Sequence, residues 1–255
     1  MSAATSHRTT PLRNTISVAV LNDAPLAQRL ALPVANGPRD THDFLLARTT
    51  DHLELRDQRD SKLTPLHIDF SDLELRRYTA TLSRRQPLAR AIGKAQLVAD
   101  ATAGLAQDAL RLALMGYHVS AIERSPVIAA LVADGLHRLD QKHPLHQRLR
   151  LLAGDARELL PGLMPRPEVI YLDPMFPEKR RSSAAVRKEM KWLRDLVGDD
   201  PDSIELFGVA QRVATNRVVV KRPDHAPPLV PNPAASVAGK LVRYDIYSTK
   251  IQRKP

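Results

Sequence analysis

Gln96 to Glu123 reads QLVADATAGLAQDALRLALMGYHVSAIE, and this stretch decides the fold class. Gln96 to Ala99 is a short apolar run, and Asp100 to Gly104 reads as a turn. From Asp108 to Met115 the apolar residues follow helical spacing, and Gly116 ends the pattern. Val119 to Ile122 is a second apolar run. Strand, turn, helix, strand is the opening unit of an alternating α/β chain. The rhythm continues downstream with a helix from Pro126 to about Leu139 and apolar runs at Leu149–Ala153, Val169–Leu172 and Val218–Val220. Helical patterns separate most of these runs. Unbroken apolar strands that alternate with helices predict a mostly parallel sheet covered on both faces. Leu241–Ser248 reads as a last strand, of antiparallel sense.

Upstream the organisation is different. Residues 1–13 read as a leader and Ile16–Leu21 as a short strand. Pro25–Leu32 reads as a helix closed by Pro33 and the Asn36-Gly37-Pro38 breaker. Phe44–Ala47, His52–Arg56 and Leu66–Phe70 read as further strands. This predicts a small α+β region over residues 1–72 and an α/β domain over 73–255. Residues 72–94 are basic and contain Arg76, Arg77, Arg84, Arg85, Arg90 and Lys94, with a short helix expected from Pro87 to Ile92.

The composition narrows the function. Of 255 residues, 43% are hydrophobic and only 4% aromatic, so the core is built on Leu, Val and Ala. Lysine and arginine number 38 against 28 acids, a formal charge of +10 that favours polyanionic partners. The absence of cysteine excludes disulfides, thiolate metal sites and a cysteine nucleophile. Met1–Thr10 lacks the apolar core of a signal peptide, and there is no run of about 18 apolar residues, so the expected location is the cytoplasm with no membrane partner. The nine histidines show no metal-ligand spacing, and no metal is expected.

In a mostly parallel sheet, ligands bind beyond the carboxyl ends of the strands. Four of those ends carry an acid: Asp100, Glu123, Asp155 and Asp173. The first turn has a single glycine, Gly104, where a dinucleotide site needs three. An acidic turn with one glycine suits S-adenosylmethionine, which has a sulfonium, an amino group and a ribose diol but no phosphate. Gly104 would let the backbone pass close to its amino-acid end, Glu123 would accept the ribose hydroxyls, and Asp155 the adenine amine. The same acids also suit ordinary helix-capping turns.

Tyr171-Leu172-Asp173-Pro174-Met175-Phe176-Pro177 follows a strand and resembles the Asp/Asn-Pro-Pro-Phe/Tyr motif of amino-group methyltransferases. The residue types fit the chemistry. An exocyclic base amine is a weak nucleophile because its lone pair is delocalised into the ring. Asp173 and the Pro174 carbonyl can accept its two N–H bonds, the prolines stiffen the loop, and Phe176 offers a stacking face.

The chain as a whole resembles the RsmJ family, the small-subunit ribosomal RNA guanine-N2 methyltransferases, from about residue 44 to 248. The likeness rests on His52-Leu53-Glu54-Leu55-Arg56, Asp100 through Leu105, Glu123-Arg124, Tyr171 through Pro177, Val218 through Pro228 and Asp245-Ile246-Tyr247. It implies a class I, Rossmann-like methyltransferase fold, S-adenosylmethionine as donor and a guanine of 16S rRNA or the small ribosomal subunit as acceptor. By position it implies donor contacts at Gln107, Asp108, Glu123, Arg124, Asp155, Ala156 and Asp173. The family has Gly-Leu-Gly-Arg-Asp where this chain has Gly104-Leu105-Ala106-Gln107-Asp108. Arg76, Arg77, Arg84, Arg85, Lys221 and Arg222 are the expected phosphate contacts. The motif would also serve a DNA base or a protein amide, and the charge would also serve a non-catalytic RNA-binding protein.

Overall fold

A computed structural model of the chain describes residues 16–38, 40–60, 62–70, 82–139, 143–175 and 200–249. Near the amino terminus, β1 (Val18–Leu21), α1 (Ala24–Leu30), β2 (Val34–Ala35), β3 (Phe44–Arg48) and β4 (Leu53–Asp57) form a small unit. Its sheet has the order β2-β1-β3-β4, with β1 parallel to β2 and β3, and β4 antiparallel to β3. Asp23 starts α1 by accepting the Leu26 amide at 3.0 Å, with Pro25 in the first turn, where its missing N–H costs nothing. The strand expected at Leu66–Phe70 reduces to a single bridge between Leu66 and Leu55. Leu66, Ile68 and Phe70 are nonetheless buried, so the alternation records packing rather than a ladder.

The rest of the described chain runs α2 (Pro87–Ile92), β5 (Leu97–Asp100), α3 (Gln107–Leu114), β6 (His118–Glu123), α4 (Pro126–Arg138), α5 (Leu145–Arg148) and β7 (Leu149–Ala153). It continues with α6 (Ala156–Leu159), β8 (Val169–Leu172), α7 (Ser203–Val213), β9 (Arg217–Pro223), β10 (Ala235–Ala238) and β11 (Val242–Ser248). Among the described residues these strands form a seven-stranded sheet of order β10-β11-β9-β8-β5-β6-β7. The strands from β9 to β7 in that order are parallel; β11 runs antiparallel to β9, and β10 antiparallel to β11. This is the mostly parallel sheet that the alternating runs predict, in the Rossmann-like form that the family resemblance implies. β10 escapes the sequence pattern because it is an exposed edge strand that follows Pro231 and Pro233.

Side chains alternate across the sheet. Val98, Tyr171 and Val219 pack on one face with α2, α3 and α4, while Ala99, Ile170, Leu172, Val218 and Val220 pack on the other with α6 and α7. The first face is continuous with the amino-terminal unit, whose Val20, Phe44, Leu53 and Leu55 belong to the same core. α4 forms the seam: Asp134 accepts the Leu53 amide at 3.0 Å, and Gly135 meets Ile68. Among the described residues no helix is long and apolar enough to cross a membrane.

The topology positions the site. From β5 the chain builds outward through β6 and β7, then returns to place β8 on the other side of β5. The carboxyl ends of β5 and β8 therefore flank a topological switch point, where connections leave in opposite directions and open a crevice.

Gly135 offers a test of the seam. A Cβ there would stand 2.8 Å from Ile68 Cγ2 and 3.1 Å from the Ile68 carbonyl. In an open helix glycine-to-alanine is favourable by about 1 kcal/mol. Here Gly135→Ala is expected to destabilise by about 1–3 kcal/mol in urea unfolding, the usual range for overpacking. The double variant with Ile68→Ala is expected to lose less than the sum of the single variants. A stabilised Gly135→Ala would refute the close approach.

Candidate active site

Asp100 closes β5 with 1% of its surface exposed and accepts the Thr102 amide at 3.2 Å. The Thr102 hydroxyl in turn accepts the Asp173 amide at 2.6 Å, which ties the loop after β5 to the loop after β8. Glu123, at the end of β6, bridges a second pair of loops. Its Oε2 accepts the Gly104 amide at 2.8 Å and its Oε1 the Ser125 amide at 2.7 Å. Gly104 has φ +53°, and a Cβ on it would meet nothing within 4 Å, so open space lies in front of this backbone. Ala106, where the family resemblance leads one to expect glycine, starts α3 at φ 59°, ψ 23°. That left-handed geometry costs a residue with a Cβ roughly 1–2 kcal/mol.

Behind these loops sits a charged cluster. Lys221 of β9 places its Nζ 2.9 Å from Asp108 Oδ2 and 2.7 Å from Asp173 Oδ2. Asp108, in the first turn of α3, also accepts the Tyr171 hydroxyl at 2.7 Å and the Arg111 guanidinium at 2.9 Å. Asp173 lies deep in the fold, yet 39% of its side-chain surface stays open, so it faces the crevice. Pro174 beside it is buried.

These surroundings sort the acids. Burial, with the Asp108 charge next to it, pushes the Asp100 carboxyl well above the usual carboxylate range. Burial also raises Glu123, against the pull of its backbone hydrogen bonds. For Asp173, enclosure raises the carboxyl while Lys221 opposes. Burial alone would raise Asp108 too, but Lys221, Tyr171 and Arg111 hold it below the ordinary value. Burial disfavours the charge on Lys221, but Asp173 and Asp108 keep the ammonium protonated above its ordinary range.

A second network lies farther along the strand ends. Arg124 donates to both Asp200 and Asp202, and Asp200 accepts the Met175 amide at 2.6 Å. Arg157 pairs with Asp155 at 2.6 Å and with Asp202 at 3.3 Å. The Arg157 hydrogen bond holds the Asp155 carboxyl below its ordinary value. Gln107 is exposed at the first turn of α3, and Ala156 is buried at the start of α6.

The structure thus gathers Asp100, Gly104, Asp108, Glu123, Asp173, Pro174 and Lys221 around one crevice, with Arg124 and Asp155 on its flank. The expected phosphate contacts are dispersed. Arg84 donates to the Met115 carbonyl at 3.2 Å, beyond the carboxyl end of α3 and about 10 Å along the helix from Asp108. Arg85 is exposed. Arg222 is 3% exposed and donates to the Pro227 carbonyl. Phe176, Arg76 and Arg77 lie outside the described residues. Thr102, Tyr171, Asp200 and Asp202 were not singled out from sequence as site residues. The carboxyl-end rule points to Thr102 and Tyr171, which flank strand ends, but nothing local marks Asp200. A separate cavity opens at Leu97, His118 and Leu149, the first residues of β5, β6 and β7, at the opposite edge of the sheet.

A family model described as "Putative SAM-dependent methyltransferase" matches residues 25–249. A protein of Thioalkalivibrio sulfidiphilus named Ribosomal RNA small subunit methyltransferase J is 44% identical over 235 residues, covering 88% of this chain and 91% of its own. Its Yersinia pestis (strain Pestoides F) namesake is 44% identical over 216 residues, 81% of this chain and 84% of its own. This chain belongs to the methyltransferase J family. A crystal structure titled as a SAM-dependent methyltransferase from Neisseria gonorrhoeae is similar across 92% of this chain and 96% of that one, with a TM-score of 0.70 and 29% identity.

The family's methyl donor is S-adenosylmethionine, and the crevice fits it. The donor is cationic at sulfur and at its amino group, and the strand ends and the first turn of α3 carry the acids Asp100, Asp108, Glu123 and Asp173, with open space in front of the Gly104 backbone that Glu123 holds. The turn has no run of glycines to cradle a phosphate.

A buried acid whose proton affinity rises on folding has a defined linkage sign. The folded state binds more protons than the unfolded one, so the Asp100 contribution worsens as pH climbs above the ordinary carboxylate range. Asp100→Asn keeps the acceptor for the Thr102 amide and removes this penalty. Its melting temperature is expected to exceed that of the unaltered protein by a few degrees at pH 8, for a relief of about 1 kcal/mol. The gain is expected to shrink as pH falls towards 4. Equal gains at pH 3 and pH 8 would contradict the assignment.

Proposed function

We propose that this protein transfers the methyl group of S-adenosylmethionine to the exocyclic N2 amine of a guanine in 16S rRNA of the small ribosomal subunit. The observation that carries the reading is the Asp173-Pro174 corner at the switch point. It opens into the crevice with one carboxylate oxygen, Oδ1, unpartnered among the described residues. The names of the relatives support the ribosomal acceptor, and the charge of +10 suits it. Such a substrate places the enzyme in the cytoplasm.

The residues divide the work. Asp100 and Gly104 receive the amino-acid end of the donor, with Gln107 and Asp108 at the start of α3 beside them. Glu123 and Arg124 line the ribose position, and Asp155 and Ala156 the adenine. When bound, the donor supplies a methyl group on a sulfonium. Asp173 Oδ1 and the Pro174 carbonyl hold the guanine amine by its two N–H bonds, with its lone pair in line with that methyl. Phe176 gives the base a face to stack on. Transfer would form the N–C bond as the C–S pair stays with sulfur, and Asp173 would take the surplus proton and pass it to water. The catalytic gain comes from proximity, orientation and a preorganised acceptor of N–H bonds. The base must be unstacked to enter, and Arg76, Arg77, Arg84 and Arg85 hold flanking phosphates.

The test is transfer of labelled methyl from S-adenosylmethionine to small subunits from cells that lack this protein. Label is expected in N2-methylguanine, and Asp173→Ala is expected to lower the rate at least about 100-fold. Label in adenine, cytosine or ribosomal protein would reassign the acceptor. RNA binding without any transfer would favour a non-catalytic binding protein.

A further inference from the structure

Lys221 is held more firmly than a phosphate contact would be. Its ammonium lies between two carboxylates, and only 23% of its side-chain surface is exposed. Asp108 is itself braced, with Lys221 and the Tyr171 hydroxyl on Oδ2 and Arg111 on Oδ1. Asp173 is fixed at two points, by its amide on Thr102 and by its Oδ2 on Lys221. An unrestrained aspartate turns readily about its last torsion and interchanges its two oxygens. With Lys221 on Oδ2, that rotation is stopped and Oδ1 is the oxygen left towards the crevice.

We propose that Lys221 is a positioning residue for methyl transfer: it grips Asp173 by Oδ2 so that Oδ1 alone meets the acceptor amine, and Asp108 holds Lys221 in place. The inference rests on the acceptor role proposed for Asp173. It moves Lys221 from the phosphate contacts into the crevice, because an ammonium 2.7 and 2.9 Å from two carboxylates would have to leave them to reach a phosphate.

Charge makes the grip necessary. Asp173 is faced by Asp108 from α3, Asp100 from β5, Asp200 ahead of α7, Tyr171 on its own strand and Tyr244 from β11. Arg222 of β9 is a more distant cation. Burial and the neighbouring acids favour a protonated Asp173, and Lys221 is the group that opposes them by direct contact. A protonated Oδ1 would point a hydrogen at the amine and could neither accept its N–H nor take its proton. Lys221 therefore sets both the direction and the ionisation of the accepting oxygen.

The experiment compares the pH dependence of kcat/KM on undermethylated small subunits for the unaltered enzyme, Lys221→Gln, Lys221→Arg and Asp108→Asn. The acid limb reports ionisation of Asp173 in the free enzyme. Removing the cation raises the proton affinity of Asp173, so Lys221→Gln is expected to move that limb to higher pH and to lower kcat by about 10- to 100-fold. Lys221→Arg is expected to restore the limb. Asp108→Asn removes both a negative neighbour and the charged anchor of Lys221, so it is read by kcat at saturating donor: a fall is expected, and an unchanged kcat would overturn the proposal even if Lys221→Gln does not fold. Carboxyl 13C titration of Asp173 in the free protein reads the same shifts without substrate, so failure to methylate subunits does not confound them. A Lys221→Gln enzyme slowed equally at every pH would overturn the proposal. So would one with unchanged kcat whose RNA affinity loses about one unit of salt slope, the mark of a phosphate contact.

Discussion

The hydroxyl of Thr102 accepts the amide of Asp173 at 2.6 Å, and the site depends on this contact. The order of the sheet places β5 and β8 side by side but sends their loops apart. Without a tie, the loop after β5, proposed to meet the donor, and the loop after β8, proposed to hold the acceptor, would be independent. Thr102 joins them, Asp100 holds Thr102 by its amide, and Glu123 joins the Gly104 turn to the start of α4. Each connection uses a side-chain oxygen on a backbone amide. The geometry is therefore anchored at the backbone.

The same loops concentrate negative charge where little water reaches. Burying carboxylates without cations is costly, and Asp100, Glu123 and Asp173 all show the expected rise in proton affinity. Asp108 escapes it because three donors converge on it. A crevice of this kind favours a cationic ligand that restores the balance, and a ligand that binds only the folded state stabilises it. The acids that weaken the free protein are those that suit a sulfonium donor, so affinity is taken from stability.

Much of this was legible in the sequence, for identifiable reasons. β8 is fully buried and reads as an unbroken apolar run, and β9 shows the same through Val218–Val220. The four acids stand out because the carboxyl-end rule needs only strand boundaries. Leu66–Phe70 misleads because its alternation matches a strand while only Leu66 pairs. Asp200 could not be found: its partners Arg124 and Met175 are 76 and 25 residues away, and no local pattern encodes such contacts. Lys221 and Arg222 look in sequence like a basic pair open to solvent. Side chains in a strand alternate faces, and in the structure one enters the acid cluster while the other is buried on the Pro227 carbonyl.

The distribution of charge also bears on how a polyanion could use this site. The chain is basic overall, yet carboxylates cluster at the ends of β5, β6 and β8 and in the first turn of α3, and they would repel phosphates. These facts agree if only the base enters. A guanine is neutral and presents N–H donors along the edge that carries N2, so carboxylates attract that edge while they repel the backbone it hangs from. Attraction for the backbone must then come from cations outside the crevice. Arg84, which pairs with no carboxylate among the described residues, stands beyond the far end of α3, and the exposed Arg85 follows it in the chain. At physiological salt, charges more than about 8 Å apart are largely screened, so the two fields act separately. In the proposed reaction, repulsion at the crevice mouth therefore works with attraction at a distance to favour an extruded base over a stacked one.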